Sequence, residues 1–248
     1  MRGLLVRRIA NGKERWVRGA RSLNELKSIY GHIAKRYDFQ HAFITMRSDQ
    51  RGRRLLVEHS ISEGVAVLDC GSGTGSTGIL AAMKVGGHGK VTMFDLSDAM
   101  LAVARQKVME AGLQDRVAFR AGDMVHLPFA DNEFDVVLST YSLCPLYDPE
   151  KGALELYRVA KPGGRIAVAH SAEPRNPVVR RLADRVEDVA WRIPWLSMGC
   201  RSVSVLPALE RAGGRLVFSK NIGVPLWPFF VFIVEKPSGI KTVNAARV

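Results

Sequence analysis

The sequence predicts an α/β fold, a mostly parallel, doubly wound sheet of seven strands with helices on both faces. Three observations predict it. Short β-branched runs alternate with helical periodicity from Val65 onward. The first run leads straight into Gly71-Ser-Gly-Thr-Gly75, and the next strand-like run ends in an acid, Asp95. In such sheets ligands bind outside the carboxyl ends of the strands, at the switch point.

The elements follow in order. Residues 1–21 are polar, lack periodicity and read as a basic arm. Ser22-Leu-Asn-Glu25 is a capping-box pattern, after which Leu26, Ile29, Tyr30 and Ile33 recur at helical spacing, so a helix runs to about Arg36. A second helix is expected over Asp49 to His59. Strands are expected at Val65–Asp69, Val91–Asp95, Val117–Ala121, Phe134–Ser139 and Arg165–Ala169, with Leu216–Asn221 and Phe229–Glu235 closing the sheet. Helices are expected over 74–84, over 98–111 with Ser97 as cap, over 152–159 and over 204–212, and Lys161-Pro-Gly-Gly164 reads as a turn. Residues 171–202 read as a mostly helical insertion carrying Trp191, Pro194 and Trp195. The division is therefore a basic arm at 1–21, a helical cap at 22–60, one catalytic domain at 61–236 and a loose tail at 237–248.

A chain of 248 residues, 47% hydrophobic and 24% charged, can bury one sizeable core. Its longest apolar run, Val224 to Val234, is eleven residues, where a membrane span needs about twenty, so no integral membrane segment is expected. The charged N-terminus has no apolar stretch of secretory length, and no signal peptide is expected. Cys70, Cys144 and Cys200 are odd in number and contain no Cys-x-x-Cys, which excludes a disulfide framework and a structural zinc site and suits a reducing cytoplasm.

Charge is distributed unevenly. Residues 1–54 hold 14 Lys and Arg against Glu14, Glu25, Asp38 and Asp49, a net of +10, out of +12 for the whole chain. Such asymmetry points to an anionic partner: a membrane surface, nucleic acid or a phosphorylated substrate. It is equally compatible with a solvated Arg-rich face.

The strongest constellation is Val67-Leu-Asp-Cys-Gly-Ser-Gly-Thr-Gly75. A buried strand enters Gly-x-Gly-x-Gly and a helix follows, so free N–H groups and close backbone approach are available to a ligand. The spacing is not the Gly-x-Gly-x-x-Gly of dinucleotide enzymes, and no Gly-Lys-Ser/Thr phosphate loop is present. Asp69 before the glycines would repel a pyrophosphate but could pair with an amine, and Asp95 can accept both hydroxyls of a ribose. A ligand with an amino acid and an adenosine but no phosphate fits that pair.

These residues resemble the first motif and ribose-binding acid of class I S-adenosylmethionine-dependent methyltransferases, whose fold is Rossmann-like. The resemblance continues through Ala121-Gly-Asp-Met124, through Phe134–Ser139 with Leu143–Asp148, and through Glu155–Arg165, covering about residues 60–172. It implies the cofactor S-adenosylmethionine, with Gly71, Ser72, Gly73 and Gly75 around the methionyl part and Asp69 near its amine. Asp95 would hold the ribose. Leu96, Met100, Gly122, Asp123 and Met124 would line the adenine, with Ser139 at the end of the fourth strand. Tyr37-Asp38-Phe39 resembles the entry segment of the ubiquinone/menaquinone-biosynthesis C-methyltransferases, which places Tyr37 over the cofactor, although the Asn and the aromatic run usual there are missing. Trp195–Arg201 and the late Lys236-Pro237 instead resemble methyltransferases of thiol and phospholipid type.

The acceptor implied is a small hydrophobic or amphiphilic molecule, with a quinone precursor first and a phospholipid headgroup or a thiol as alternatives. A base is needed only if the acceptor must lose a proton, and His170 and Tyr141, after the fifth and fourth strands, are the candidates. An RNA-binding methyltransferase or adaptor using the basic arm is the reading of another class. It is disfavoured because the fourth motif lacks Asn/Asp-Pro-Pro-aromatic and no RNA-binding domain fits in the length. The implied location is cytoplasmic, with an anionic membrane face as partner through residues 1–54; oligomeric state is left open.

Overall fold

The computed structural model describes residues 5–10, 13–18, 22–44, 48–174, 176–191, 202–225 and 227–238. Trp195, Pro194, Cys200 and the tail beyond Ser238 lie outside them. The expected sheet is present. Seven strands run in the order β5-β4-β3-β6-β7-β9-β8, where β3 is Ala66–Cys70, β4 Lys90–Asp95, β5 Val117–Ala121, β6 Phe134–Thr140, β7 Ala160–Ser171, β8 Arg215–Val224 and β9 Trp227–Glu235. Strands β3 to β7 pair in parallel, while β9 is antiparallel to both β7 and β8. The order reverses between β3 and β6, which makes the carboxyl ends of these two strands the switch point.

Two apolar layers cover the sheet. On one face α6 (Pro149–Val159) and α8 (Leu206–Arg211) pack through Leu156 and Leu209 onto Leu68, Val137, Ile166 and Phe232. On the other, α3 (Ser48–Ser60), α4 (Ser76–Lys84) and α5 (Asp98–Glu110) pack through Leu56, Ala81 and Ala104 onto Val67, Val91, Val136 and Ile233. Both faces being covered explains the near-continuous apolar reading of the central strands.

Three differences from the sequence reading have local causes. Within the arm, whose order the sequence left open, β1 (Leu5–Ala10) and β2 (Lys13–Arg18) form a separate antiparallel pair, in register from Leu5 opposite Arg18 to Ala10 opposite Lys13. The charges interleaved along both segments masked the alternation in the sequence. Lys161–Gly164 is not a free turn but part of the long strand β7. The register jumps there from Phe134 opposite Ala160 to Val136 opposite Arg165, while Gly163 N–H donates to Lys236 O at 2.7 Å. Helix α6 starts at Pro149, earlier than expected, because the Asp148 side chain caps it through Lys151 N–H and proline suits the first helical turn.

At the N-terminal side, α1 (Leu23–Ile33) and α2 (Tyr37–Ile44) lie against α5, with Ile33 and Ala34 packed on Met100. The capping box of α1 is complete: Ser22 Oγ accepts from Glu25 N–H, and Glu25 Oε2 accepts from Ser22 N–H at 2.9 Å. Loss of such a cap costs about 1 kcal/mol, and the cost falls on the first turn. Ser22→Ala should therefore speed amide hydrogen exchange at residues 23–26 while leaving the exchange of the β3 and β6 amides unchanged. Uniform loss of protection would mean that α1 unfolds only with the whole domain.

Candidate active site

The carboxyl ends of β3, β4 and β6 open into a cavity. Its floor is the loop between β3 and α4. Gly71 (φ +73°) and Gly73 (φ +53°) take the left-handed backbone that favours glycine. A side chain on Gly71 would collide with Ser142, whereas one on Gly73 would point into open space. The loop is tied down from two sides. Gly71 N–H and Ser72 N–H both donate to Phe94 O, at 2.7 and 3.0 Å, and Ser142 Oγ donates to Cys70 O at 3.0 Å.

The structure brings most of the expected residues together. Tyr37, Gly71, Gly73, Asp95 and Leu96 line the cavity with Met100, Gly122, Asp123, Met124 and Tyr141. Asp95 ends β4 beside the floor. One carboxylate oxygen accepts Gly73 N–H at 2.8 Å and the other Ser97 N–H at 2.9 Å, so the group is held rigidly with a lone pair on each oxygen to spare. Burial raises its pKa above the usual carboxylate range, opposed by those backbone N–H groups. Asp123 accepts Val125 N–H through one oxygen and the Tyr147 hydroxyl through the other, at 2.7 Å.

Five expected residues are not among those lining the cavity. Gly75 is the N-cap of α4, and Ser139 is buried with its hydroxyl 2.7 Å from that of Ser142. Ser72 turns its hydroxyl into the protein, without a hydrogen-bond partner. Asp69 lies beneath the loop, fully buried, and neither carboxylate oxygen makes a hydrogen bond of good geometry. Burial pushes its pKa up to about 7, against the pull of the Arg53 charge and the Gly78 amide. His170 sits in the apolar layer, with ring centroids 5.9 Å from Phe230 and 5.8 Å from Phe232. Its Nδ1 lies 2.9 Å from Ser171 O and must carry the proton there, which leaves the Nε2 lone pair unpartnered, and burial keeps the ring neutral by lowering its pKa. Tyr141 lines the cavity, but its hydroxyl donates to Asp49 O at 3.3 Å and burial drives the phenol pKa upward, so at neutral pH it is a donor and not a base.

Sequence reasoning missed the roof and the far wall. Leu23, Leu26 and Tyr30 of α1 reach the cavity, as do Phe94, Thr140, Ser142, Pro145, Leu146 and Tyr147. The Leu26–Tyr30 stripe was visible in the sequence, but helical spacing cannot say whether a stripe faces a core or a ligand. Asp38 on α2 joins roof to floor: it accepts Thr74 Oγ1 at 2.6 Å and Ser76 Oγ at 3.3 Å and pairs with Lys107 of α5. Equally unread was Arg53 of α3, buried and donating to Thr77 Oγ1 at 2.6 Å and Thr140 Oγ1 at 2.8 Å.

The residues fit S-adenosylmethionine. A half-buried carboxylate, Asp95, stands where it would accept ribose hydroxyls, with acceptor capacity left. Leu96, Met100 and Met124 make an apolar slot beside Asp123, and the side-chain-free face of Gly73 opens where the methionyl part would lie. The model of the ubiE/COQ5 methyltransferase family matches residues 18–185. A demethylmenaquinone methyltransferase from Lactiplantibacillus plantarum is 33% identical over 161 residues, 64% of this chain and 68% of that protein. The ubiquinone/menaquinone biosynthesis C-methyltransferase of Hahella chejuensis is 30% identical over 162 residues, 65% of each chain. The match thus spans about two-thirds of the length of these relatives. Among solved structures, an S-adenosylmethionine-dependent methyltransferase from Aquifex aeolicus is 26% identical with a TM-score of 0.55, covering 75% of this chain and 89% of that one.

Two predictions follow from Asp95 and Asp69. Asp95→Ala removes the acceptor for two ribose hydroxyls, each worth about 1 kcal/mol, so calorimetry should show S-adenosylmethionine binding at least about tenfold weaker. Unchanged affinity would remove Asp95 from the site. For Asp69, the folded pKa lies above the unfolded one, so its contribution to stability is present at low pH and is lost between about pH 4 and pH 7. Asn does not titrate, so Asp69→Asn should gain stability relative to the parent across that window and hold a constant difference above it, measured by urea unfolding at stepped pH. Against the same background, the chain belongs to the ubiE/COQ5 methyltransferase family, whose cofactor is S-adenosylmethionine.

Proposed function

We propose that the protein transfers a methyl group from S-adenosylmethionine to a ring carbon of a hydrophobic, reduced quinone precursor. The observation that carries this reading is the apolar cavity continuous with the glycine floor, walled by Leu23, Leu26 and Tyr30 of α1 and by Pro145 and Leu146 after β6. The names of the relatives support the acceptor class.

When bound, the cofactor supplies an electrophilic methyl group on a sulfonium. Displacement at such a centre is in-line, so the protein contributes orientation and exclusion of water. Asp95 would hold the ribose and Asp123 the adenine edge, while the α1 side chains cover the cavity and present an apolar surface to the acceptor. The ring carbon takes the methyl group as the methyl–sulfur bond breaks, leaving a neutral thioether, and the ring proton then restores the ring hydroxyl, whose own proton left to solvent on ionisation. Among the described lining residues the phenols of Tyr141 and Tyr147 are pushed up, Tyr147 to about 12 by burial and the Asp123 carboxylate, so neither draws a proton at neutral pH. The reading therefore relies on ionisation of the acceptor's own ring hydroxyl to make the carbon nucleophilic.

The same reading places the protein against an anionic membrane, where such acceptors dissolve. Its support is the net charge of +10 in residues 1–54 and the outer stripe of α7 (Pro177–Trp191). Val178, Leu182 and Val186 are exposed there at one-turn spacing, beside exposed Arg181 and Arg185. Among the described residues no helix is long and apolar enough to cross a membrane.

Two experiments test the reading. Purified protein given methyl-labelled S-adenosylmethionine should label reduced demethylmenaquinone, and not phosphatidylethanolamine or a small thiol; the opposite pattern assigns the alternative acceptor. Among the described residues the β1–β2 pair hydrogen-bonds to no other strand, so deleting residues 1–20 removes one unit. The deletion should leave cofactor affinity intact and weaken sedimentation with phosphatidylglycerol vesicles, and added salt should mimic it. Tight binding to RNA with none to vesicles would overturn the membrane reading.

A further inference from the structure

Tyr141 stands out among the lining residues because its backbone is left-handed, φ +61°, a conformation unfavourable to a bulky side chain. Such a residue persists only where its surroundings over-determine it. Here they do. Tyr141 N–H donates to Ala169 O at 2.7 Å, and its ring stands edge-on to Phe229, centroids 5.1 Å apart. The remaining restraints come from α3. The Arg53 guanidinium lies 5.2 Å from the ring centroid, and Asp49 O accepts the hydroxyl. Gly52 leaves the hydroxyl its room: a Cβ at that position would fall inside the Tyr141 oxygen. Arg53 also holds the neighbouring Thr140, and Ser142 packs on Gly71 of the floor.

The adenine side of the cavity is marked by Leu96, Met100, Asp123 and Met124. The glycine loop is where the methionyl part would lie, and Ser142 stands against Gly71 of that loop, so residues 140–142 flank the methionyl and sulfonium end. We propose that Gly52 and Arg53 of α3 position Tyr141, and with it the Thr140–Ser142 turn, against the reacting end of the cofactor. Neither residue touches the cavity; they act through Tyr141. The inference stands independently of the acceptor.

The test compares full-length protein with Gly52→Ala, Tyr141→Phe and the double variant, by calorimetry with S-adenosylmethionine and S-adenosylhomocysteine. The two ligands differ only by the methyl group and its charge, so the ratio of their affinities reads the reacting end. Gly52→Ala pushes on the Tyr141 hydroxyl and should change that ratio by about fivefold or more, as expected for directly coupled neighbours. Removing the hydroxyl relieves the collision, so the double variant should return to the ratio of Tyr141→Phe alone. A merely structural role would lower the unfolding midpoint and leave the ratio where it was. Should Gly52→Ala fail to fold, Arg53→Lys keeps the charge but not the planar fork that serves Thr77 and Thr140, and should shift the ratio in its place. An unchanged ratio in the folded variant, or a shift that Tyr141→Phe does not relieve, overturns the proposal.

Discussion

The site rests on one close approach, that of Gly71 to Ser142. Strands β3 and β6 are parallel neighbours, so the segments leaving their carboxyl ends must pass each other at the same level. Only a residue without a side chain can do so here, because a Cβ on Gly71 would overlap Ser142. The remainder of the cavity is referenced to that contact. Asp95 is anchored by Gly73 N–H, Asp38 by the Thr74 and Ser76 hydroxyls, and the β6 turn by the Cys70 carbonyl. Roof, Asp95 and far wall therefore share a single floor, and a displacement of that floor would disturb all three.

Beneath the floor is a charged group that most cores avoid. Arg53, Asp49 and Asp69 are all buried, with Arg53 Nε 3.6 Å from Asp49 and the two threonine hydroxyls taking Nη1. Buried ion pairs are weak sources of stability, since desolvation offsets most of the attraction. Their clearer effect is directional. A guanidinium with fixed hydrogen-bond vectors links α3 to α4 and to the end of β6, a connection that apolar packing alone would leave free to slide. Exposed pairs such as Lys27–Asp98, 3.3 Å apart on α1 and α5, hold far less because solvent screens them.

The catalytic candidates show how position in sequence and position in space diverge. Tyr141 follows the end of β6, whereas His170, expected after a strand, lies within β7. Tyr141 does line the cavity, but its hydroxyl is spent on α3, so the ring and not the oxygen is what it presents. His170 follows alternation along β7 into the aromatic layer of Phe230 and Phe232.

The sequence by itself determined the sheet, the glycine loop and the acid that ends the strand beside it, Asp95. These depend on short-range rules: strand runs of buried β-branched residues, glycines where the backbone turns left-handed, and an acid ending the adjacent strand. The Ser22–Glu25 capping box and the Ser97 cap were legible for the same reason, since a cap bonds within three residues of itself. Only the tertiary structure decided that α1 roofs the cavity, that Asp38 joins α2 to the floor and α5, and that Arg53 reaches Thr140, 87 residues away in the chain. The spacing within α3 fixes which residues share a face. Which face meets the protein, and whether a buried position there holds a leucine or an arginine in a hydrogen-bond network, depends on the atoms that other elements bring to it.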